Sequence, residues 1–480
     1  MVVIICIKNN YNVNIYMNIN TKKNIKNIKT IKYNKTKKKG RSKFGGEALT
    51  SGGFGCIFKP ALKCKGDKNR FDGVSKMSII KHGKQEISEI NKIKLKLEGI
   101  KNYKKYYLLD IDMCYPDKLS KNDMINFDKN CFSLTRYNIN QSNINSKLND
   151  VSILNMPYAG IDLHEWFIHN NTISKEKIYL LNKIIIKLLK NGIKHMNNSG
   201  VIHNDLKDKN IMIDNKMNAR IIDWGLAGIV VNKQIPVEIM NRPLQFNTPF
   251  SSMILSDKFK YNYDMFLKEV KDGIILFNRT NIRNYIINEY LIKIKSYYGY
   301  YDDNVDLFKM VFSSQISNDI IISNEKNNNL IEYGYYLYYL SNYITDILIK
   351  YTDSKMNFNL NNYFNEVYLY NSDVFGIMTV YYNFFEIKLS EIKLDNTIKT
   401  IYLNRIRSLL VEHIYSNGGE KININKLCKS IEDLNKIIKY NNKNINKYNH
   451  YSISSHINKD KSRSKSRSKS RSKSRSKSKY

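Results

Sequence analysis

Between positions 1 and 44 apolar residues are scattered among Asn and Lys with no helical or strand period, which predicts a disordered extension and no core element. Structure is expected from Gly45 onward. Over 45–112 the pattern predicts short strands, a helix and one more strand. Ile87, Ile90, Ile93 and Leu97 recur at helical spacing, and Tyr106-Tyr107-Leu108-Leu109 reads as the strand. Residues 116–150 are rich in Asn, Ser and Lys and read as a long polar loop inserted between strands. Val151 to Met156 forms the next strand, stopped by Pro157. Residues 175–197 alternate Lys with Ile and Leu at helical period and end in the turn signal Asn198-Ser199-Gly200. Ile211-Met212-Ile213 and Ala219-Arg220-Ile221-Ile222 read as short strands flanked by polar loops. From 255 to 450 the pattern is largely helical, with no repeat of solenoid length.

Composition adds little until it is divided along the chain. The 480 residues, 42% hydrophobic, exclude a wholly disordered protein and suggest two or three structural units. Of the net charge of +35, residues 1–44 carry +12 and residues 461–480 carry +10, so the basicity is concentrated at the ends. Lys outnumbers Arg 65 to 13, a bias that AT-rich codons would produce, so the remaining surplus is weak testimony for a nucleic-acid partner. The last twenty residues alternate Ser with Arg or Lys and predict a disordered tail. Association with nucleic acid or an acidic surface, a nuclear-import address, a phosphoacceptor track and a solubilising tail all suit it. Six cysteines without a C-x-x-C pair argue against a disulfide framework or zinc, and predict reduced thiols in an intracellular, cytoplasmic or nuclear setting. No apolar run approaches the length of a membrane span, and the apolar start is shorter than a signal-peptide core.

Candidate chemistry centres on His203-Asn204-Asp205-Leu206-Lys207-Asp208-Lys209-Asn210, with Asp223-Trp224-Gly225 beginning eighteen residues after Asp205. One loop thus holds a carboxylate, a lysine and an amide, and a second carboxylate ends a neighbouring strand. This set suits phosphoryl transfer, which depends on positioning and charge neutralisation. Asp205 can accept a hydroxyl's hydrogen bond, Lys207 can meet the charge on the transferred group, and Asn210 and Asp223 offer oxygen ligands to Mg²⁺.

These residues resemble the catalytic and metal loops of the protein kinase superfamily, with composition and insertions similar to serine/threonine kinases of large DNA viruses. The resemblance implies an α+β, bilobal protein-kinase-like fold. A small, mainly β N-lobe with one key helix would occupy 45–157, and a larger, mainly α C-lobe 158–450, with an insertion over about 257–370. Basic disordered ends would fill 1–44 and 451–480. It implies ATP and Mg as cofactors and a protein substrate. Thr50-Ser51-Gly52-Gly53-Phe54-Gly55-Cys56-Ile57 resembles the Gly-rich loop, with Thr50 replacing the first glycine. Val74-Ser75-Lys76 resembles the strand whose lysine holds the α/β-phosphates. Its glutamate partner would be Glu86 or Glu89, with Glu86 favoured by the apolar positions that follow it. Met156, Tyr158 and Asp162 fall where the family's hinge would meet adenine and ribose. Asp373-Val374-Phe375-Gly376 opens an apolar helix and resembles the one whose Asp anchors the catalytic loop; an N-cap is the competing account.

Three departures matter. Asn204 replaces the family's arginine, which argues against switching by a phosphate on the activation segment. Trp224 replaces Phe. Asn247-Thr248-Pro249-Phe250-Ser251-Ser252 lacks the glutamate that ordinarily fixes this segment. Besides a Ser/Thr protein kinase, two readings stay open: a small-molecule kinase of aminoglycoside or choline type, which Asn204 and Trp224 favour, and a pseudokinase scaffold with nucleic-acid-binding tails. Lys207 and Gly225 speak against the former; Lys76, Asp205, Asn210 and Asp223 speak against the latter.

Overall fold

The computed structural model describes residues 47–51, 55–168, 172–291 and 334–439. Expectations for 1–44, for Gly52, Gly53 and Phe54 and for 451–480 lie outside these residues. The chain forms two compact units, one from the segments ending at Ile90 and spanning Asp110–Tyr158, the other from Asn91–Leu109 and the chain beyond Ala159.

In the first unit, strands β1 (Glu47–Ser51), β2 (Cys56–Lys59), β3 (Val74–Ile79), β4 (Asp112–Cys114) and β5 (Val151–Met156) form one antiparallel sheet, ordered β1-β2-β3-β5-β4. Helix α1 (Ile80–Leu97) follows β3 directly and buries Ile90, Ile93 and Leu97. Alternation sends Ser75 and Met77 of β3 inward and leaves Lys76 part-exposed between them. Buried Ser75 is satisfied: its hydroxyl donates to Asn155 Oδ1 at 2.5 Å and accepts the Leu62 amide at 2.8 Å.

The segment 116–150 is folded, against the expectation of a polar loop. Helical turns α2 (Phe127–Asn130) and α3 (Phe132–Thr135) and two 3₁₀ turns bring Leu119, Phe127, Leu134, Ile139 and Ile144 into one core with Phe58, Met77 and Ile153. Sparse apolar residues on irregular turns leave no periodic trace, and hence the misreading. Reduced thiols are likewise corrected. Cys56 is disulfide-bonded to Cys131 and Cys64 to Cys114, 75 and 50 residues apart, while buried Cys428 is free. Folding brings their Cα atoms to 5.1 and 5.8 Å, a proximity that sequence spacing does not encode.

In the second unit, β6 (Ile161–Asp162) leads into α4 (Leu163–Ile168), and α5 (Lys175–Lys187) continues through wider turns into α6 (Lys194–Asn198). Strands β7 (Val201–Ile202) and β10 (Gly228–Ile229) pair, and β8 (Ile211–Ile213) lies between β6 and β9 (Ala219–Ile221). Tyr106 to Leu109 do not form the expected strand. Tyr106 closes a 3₁₀ turn and Tyr107 bridges Ile221, whose amide donates to Tyr106 O at 2.7 Å and whose carbonyl accepts the Leu108 amide at 3.0 Å; the Tyr107 hydroxyl donates to Gly192 O at 2.9 Å.

Helices α7 (Asp257–Lys271), α8 (Arg279–Tyr285), α9 (Gly334–Tyr351), α10 (Leu360–Tyr363), α11 (Leu369–Met378), α12 (Asn383–Glu386), α13 (Asn396–Leu410) and α14 (Ile424–Lys439) complete the unit. The described parts of 257–370 join its core through Phe259, Tyr263, Tyr343, Ile347 and Tyr363. Nearly every residue of α11 is buried, the polar Asn371, Ser372 and Asp373 included. Asp373 lies inside α11, not at its start, so neither a helix opening nor an N-cap describes it. No helix among the described residues is long and apolar enough to cross a membrane.

Candidate active site

In the first unit, pairing β2 with β3 sets Ile57 opposite Lys76. Gly55 lies against that lysine, where a Cβ would sit 3.0 Å from Lys76 Cγ and 2.9 Å from the Met77 carbonyl. Lys76 Nζ donates to both carboxylate oxygens of Glu86 at 2.7 Å, whereas Glu89 accepts from Gln85. The Lys76 pair is about three-quarters buried, so solvent screens it less than a surface pair. Thr50 and Ser51 end β1. Met156 closes β5 opposite Val74, and half-exposed Tyr158 carries the Lys59 ammonium 3.2 Å above its ring.

In the second unit, the loop between β7 and β8 holds Asp205, Lys207 and Asn210. Asp205 is 6% exposed. Its carboxylate accepts from Lys207 Nζ at 3.0 and 2.9 Å, from Asn210 Nδ2 at 3.0 Å and from Asn247 Nδ2 at 2.8 Å. Asn210 Nδ2 also donates to the Asp205 carbonyl at 2.8 Å, which commits the amide nitrogen and leaves Oδ1 without a donor among the described residues. The Ile222 amide donates to Asn210 O at 3.0 Å, so the β8–β9 hairpin brings Asp223 beside Asn210. Asp223 is exposed, takes a left-handed backbone (φ 64°) and has no hydrogen-bond partner among the described residues. A free carboxylate beside a free amide oxygen fits a hard cation that keeps waters and phosphate oxygens as its other ligands.

Beneath this loop, Asp373 accepts the backbone amides of His203 at 3.0 Å and Asn204 at 2.9 Å, and the Asn197 amide at 2.7 Å. Burial pushes its carboxyl above the ordinary carboxylate range, although these donors act against that rise. Gly376, one turn further along α11, has no room for a side chain: a Cβ would lie 2.6 Å from Leu206 O. His203 donates from Nε2 to Ile222 O at 2.9 Å and meets Trp224 edge-on at 4.9 Å, a packing role. Asn204 is buried at φ 59°, with its carboxamide oxygen near Tyr368 and Ser372. Thr248 is buried too, and its hydroxyl donates to Gln245 O at 2.9 Å. Asp162 accepts the Glu165 amide at 2.7 Å at the start of α4.

Two contributors left no sequence signal. Asn247 reaches Asp205 across 42 residues and also donates to Leu206 O at 3.2 Å. Asp208 is gripped by His164 Nδ1 at 2.7 Å and Asn383 Nδ2 at 3.0 Å.

A family model described as protein kinase domain matches residues 134–249. That span carries Asp205, Lys207, Asn210, Asp223 and Asn247. These matches support the protein kinase superfamily. Serine/threonine-protein kinase PSK1 of Saccharomyces cerevisiae is 36% identical over 67 residues, 14% of this chain and 5% of that protein. Mitogen-activated protein kinase 12 of Mus musculus is 38% identical over 72 residues, 15% of this chain and 18% of that kinase. The probable CTD kinase subunit alpha homolog of Encephalitozoon cuniculi is 37% identical over 71 residues, 15% of this chain and 20% of that protein. The chain thus aligns with at most a fifth of the length of these three kinases.

Proposed function

We propose that this chain is an ATP- and Mg-dependent serine/threonine protein kinase, transferring the γ-phosphoryl group to hydroxyls of protein substrates. One observation carries the reading: a buried carboxylate, Asp205, is oriented by a lysine and two amides on a loop that Asp373 holds from below. Asp205 orients the acceptor hydroxyl and takes its proton at the carboxylate, as a general base does. Lys207 lies against that carboxylate and neutralises charge as it develops on the transferred group. Asn210 Oδ1 and Asp223 would hold magnesium, which when bound neutralises the triphosphate. Lys76, kept extended by Glu86, would bind the α/β-phosphates. Gly55 and Ile57 would approach the nucleotide from the β1–β2 hairpin, together with Thr50, Ser51, Gly52, Gly53 and Phe54. Met156, Tyr158 and Asp162 would receive adenine and ribose. The Asn- and Lys-rich composition and the long insertions support the finer reading of a kinase similar to those of large DNA viruses.

The Lys76–Glu86 pair speaks against a pseudokinase scaffold, and the relatives named above are protein kinases, which speaks against a small-molecule kinase. The full chain incubated with labelled ATP, Mg²⁺ and generic acceptor proteins should label protein. Asp205→Ala should lower the rate by about 10²–10⁴-fold, the usual worth of a general base, and Lys76→Met should abolish nucleotide-dependent transfer. Label confined to small alcohols, or transfer undiminished by Asp205→Ala, would overturn the proposal.

A further inference from the structure

Away from the catalytic loop, a cavity of about 290 Å³ opens where α6 meets the N-terminus of α14. Lys194 and Lys421 line it, and no acidic residue does. The Lys421 ammonium lies 3.1 Å from the centre of the Tyr370 ring. Part burial and the like charge of Lys194 both pull the Lys421 pKa down, so the two cations share one field with no counter-charge in the cavity. Asn423 caps α14: its Oδ1 accepts the Lys426 amide at 3.0 Å and its carbonyl the Leu427 amide at 2.9 Å. The first two amides of this sixteen-residue helix, those of Ile424 and Asn425, have no acceptor among the described residues, and both residues line the cavity. Asn197, also in the lining, is 1% exposed. Its Nδ2 donates to Asp373 at 2.7 Å and to Val201 O at 3.1 Å. Both partners are acceptors, so the amide cannot be flipped, and its buried Oδ1 is left without a donor.

We propose that this cavity is a second anion site of the chain, and that its ligand is a phosphate monoester group. Two ammonium groups and the positive end of a long helix call for an anion with several terminal oxygens. An orphaned acceptor in the same lining calls for an anion that still carries a proton. A phosphate monoester, whose second ionisation falls near pH 6, presents both features, whereas sulfate, carboxylate and phosphodiester groups carry no such proton. Lysine-bound oxygens would answer the two ammonium groups, and a P–OH would donate to the Asn197 acceptor.

The test is calorimetric titration of the full chain near pH 6.5 with O-phospho-L-serine, inorganic phosphate and sulfate. Lys194 and Lys421 are exposed, so Lys194→Gln with Lys421→Gln should keep the fold, verified by thermal unfolding; Asn197 is left untouched because it also holds Asp373. O-phospho-L-serine should bind the native chain and Lys76→Met alike. Its affinity should fall about tenfold for each lysine removed, the equivalent of one charge-assisted hydrogen bond, and return with Lys194→Arg and Lys421→Arg. Binding that survives the double Gln variant, or is lost in Lys76→Met, places the anion elsewhere and overturns the assignment. Sulfate bound as tightly as the monoester, or inorganic phosphate bound while O-phospho-L-serine is not, overturns it as well.

Discussion

Asn247 illustrates how one side chain can condition the chemistry of another far along the chain. Its amide saturates one side of the Asp205 carboxylate, so the remaining lone pairs point in a defined direction. Asn247→Ala would leave Lys207 as the remaining donor to Asp205 Oδ1 and would take the Asn247 donor from Leu206 O, at about 1–3 kcal/mol. The expected result is a fall in kcat of roughly tenfold to a hundredfold with a small change in KM for ATP, measured by steady-state kinetics. A variant with native kcat would deny Asn247 any positioning role. Asn204 shows the reverse relation. Where an arginine would await a phosphate, a buried amide faces Tyr368 and Ser372, and the nearby Thr248 hydroxyl is turned inward.

At the scale of elements, α4 and α12 are both tied to the β7–β8 loop through Asp208. The hydrogen bond to Asp208 holds the His164 pKa above the usual imidazole value, against burial. Burial alone would raise the Asp208 carboxyl, but the bonds from His164 and Asn383 outweigh it and hold the group below the usual range. The signs fix the window. The imidazolium contributes fully below about pH 6.5 and is lost as pH rises through its raised folded value. The carboxylate contributes above about pH 4 and is lost as pH falls through its depressed folded value. The pair is therefore strongest between about pH 4 and 6.5, and, being partly exposed, contributes about 1 kcal/mol. Thermal unfolding at pH 6 and pH 8.5 should show a drop in Tm that His164→Gln removes. An equal drop in that variant would assign the dependence to other groups.

For each unit taken whole, covalent links matter most in the first. Cys56–Cys131 joins the strand after the glycine cluster to the 116–150 segment, and Cys64–Cys114 joins the segment after β2 to the end of β4. Peptide mapping without reductant should recover both linked pairs, with Cys428 the free thiol among the described residues. Breaking the longer loop by Cys131→Ser should lower stability by about 2–4 kcal/mol. Recovery of Cys56, Cys64, Cys114 and Cys131 as free thiols from the unreduced protein would contradict these links. In the second unit stability is carried by burial, with aromatic contacts such as Phe250 stacked on Tyr415 at 5.6 Å in a core crossed by α11.

What could be read from the chain alone was whatever local spacing carries: the catalytic-loop string, the helical periods of α1 and α5, the strand ended by Pro157, and Lys76 in its strand. Short-range geometry makes such features periodic, and a loop that must gather a carboxylate, a lysine and an amide has to keep them close in sequence. Glu86 and Glu89 share a helical face, so local spacing left both open, and only the packed helix turned Glu86 toward Lys76. The folded 116–150 segment, both disulfides, Asn247 on Asp205 and the Lys194–Lys421 cavity were decided by tertiary structure. Each depends on residues brought together across tens or hundreds of positions, and such proximity is set by the sum of packing over the whole unit, which no window of sequence contains.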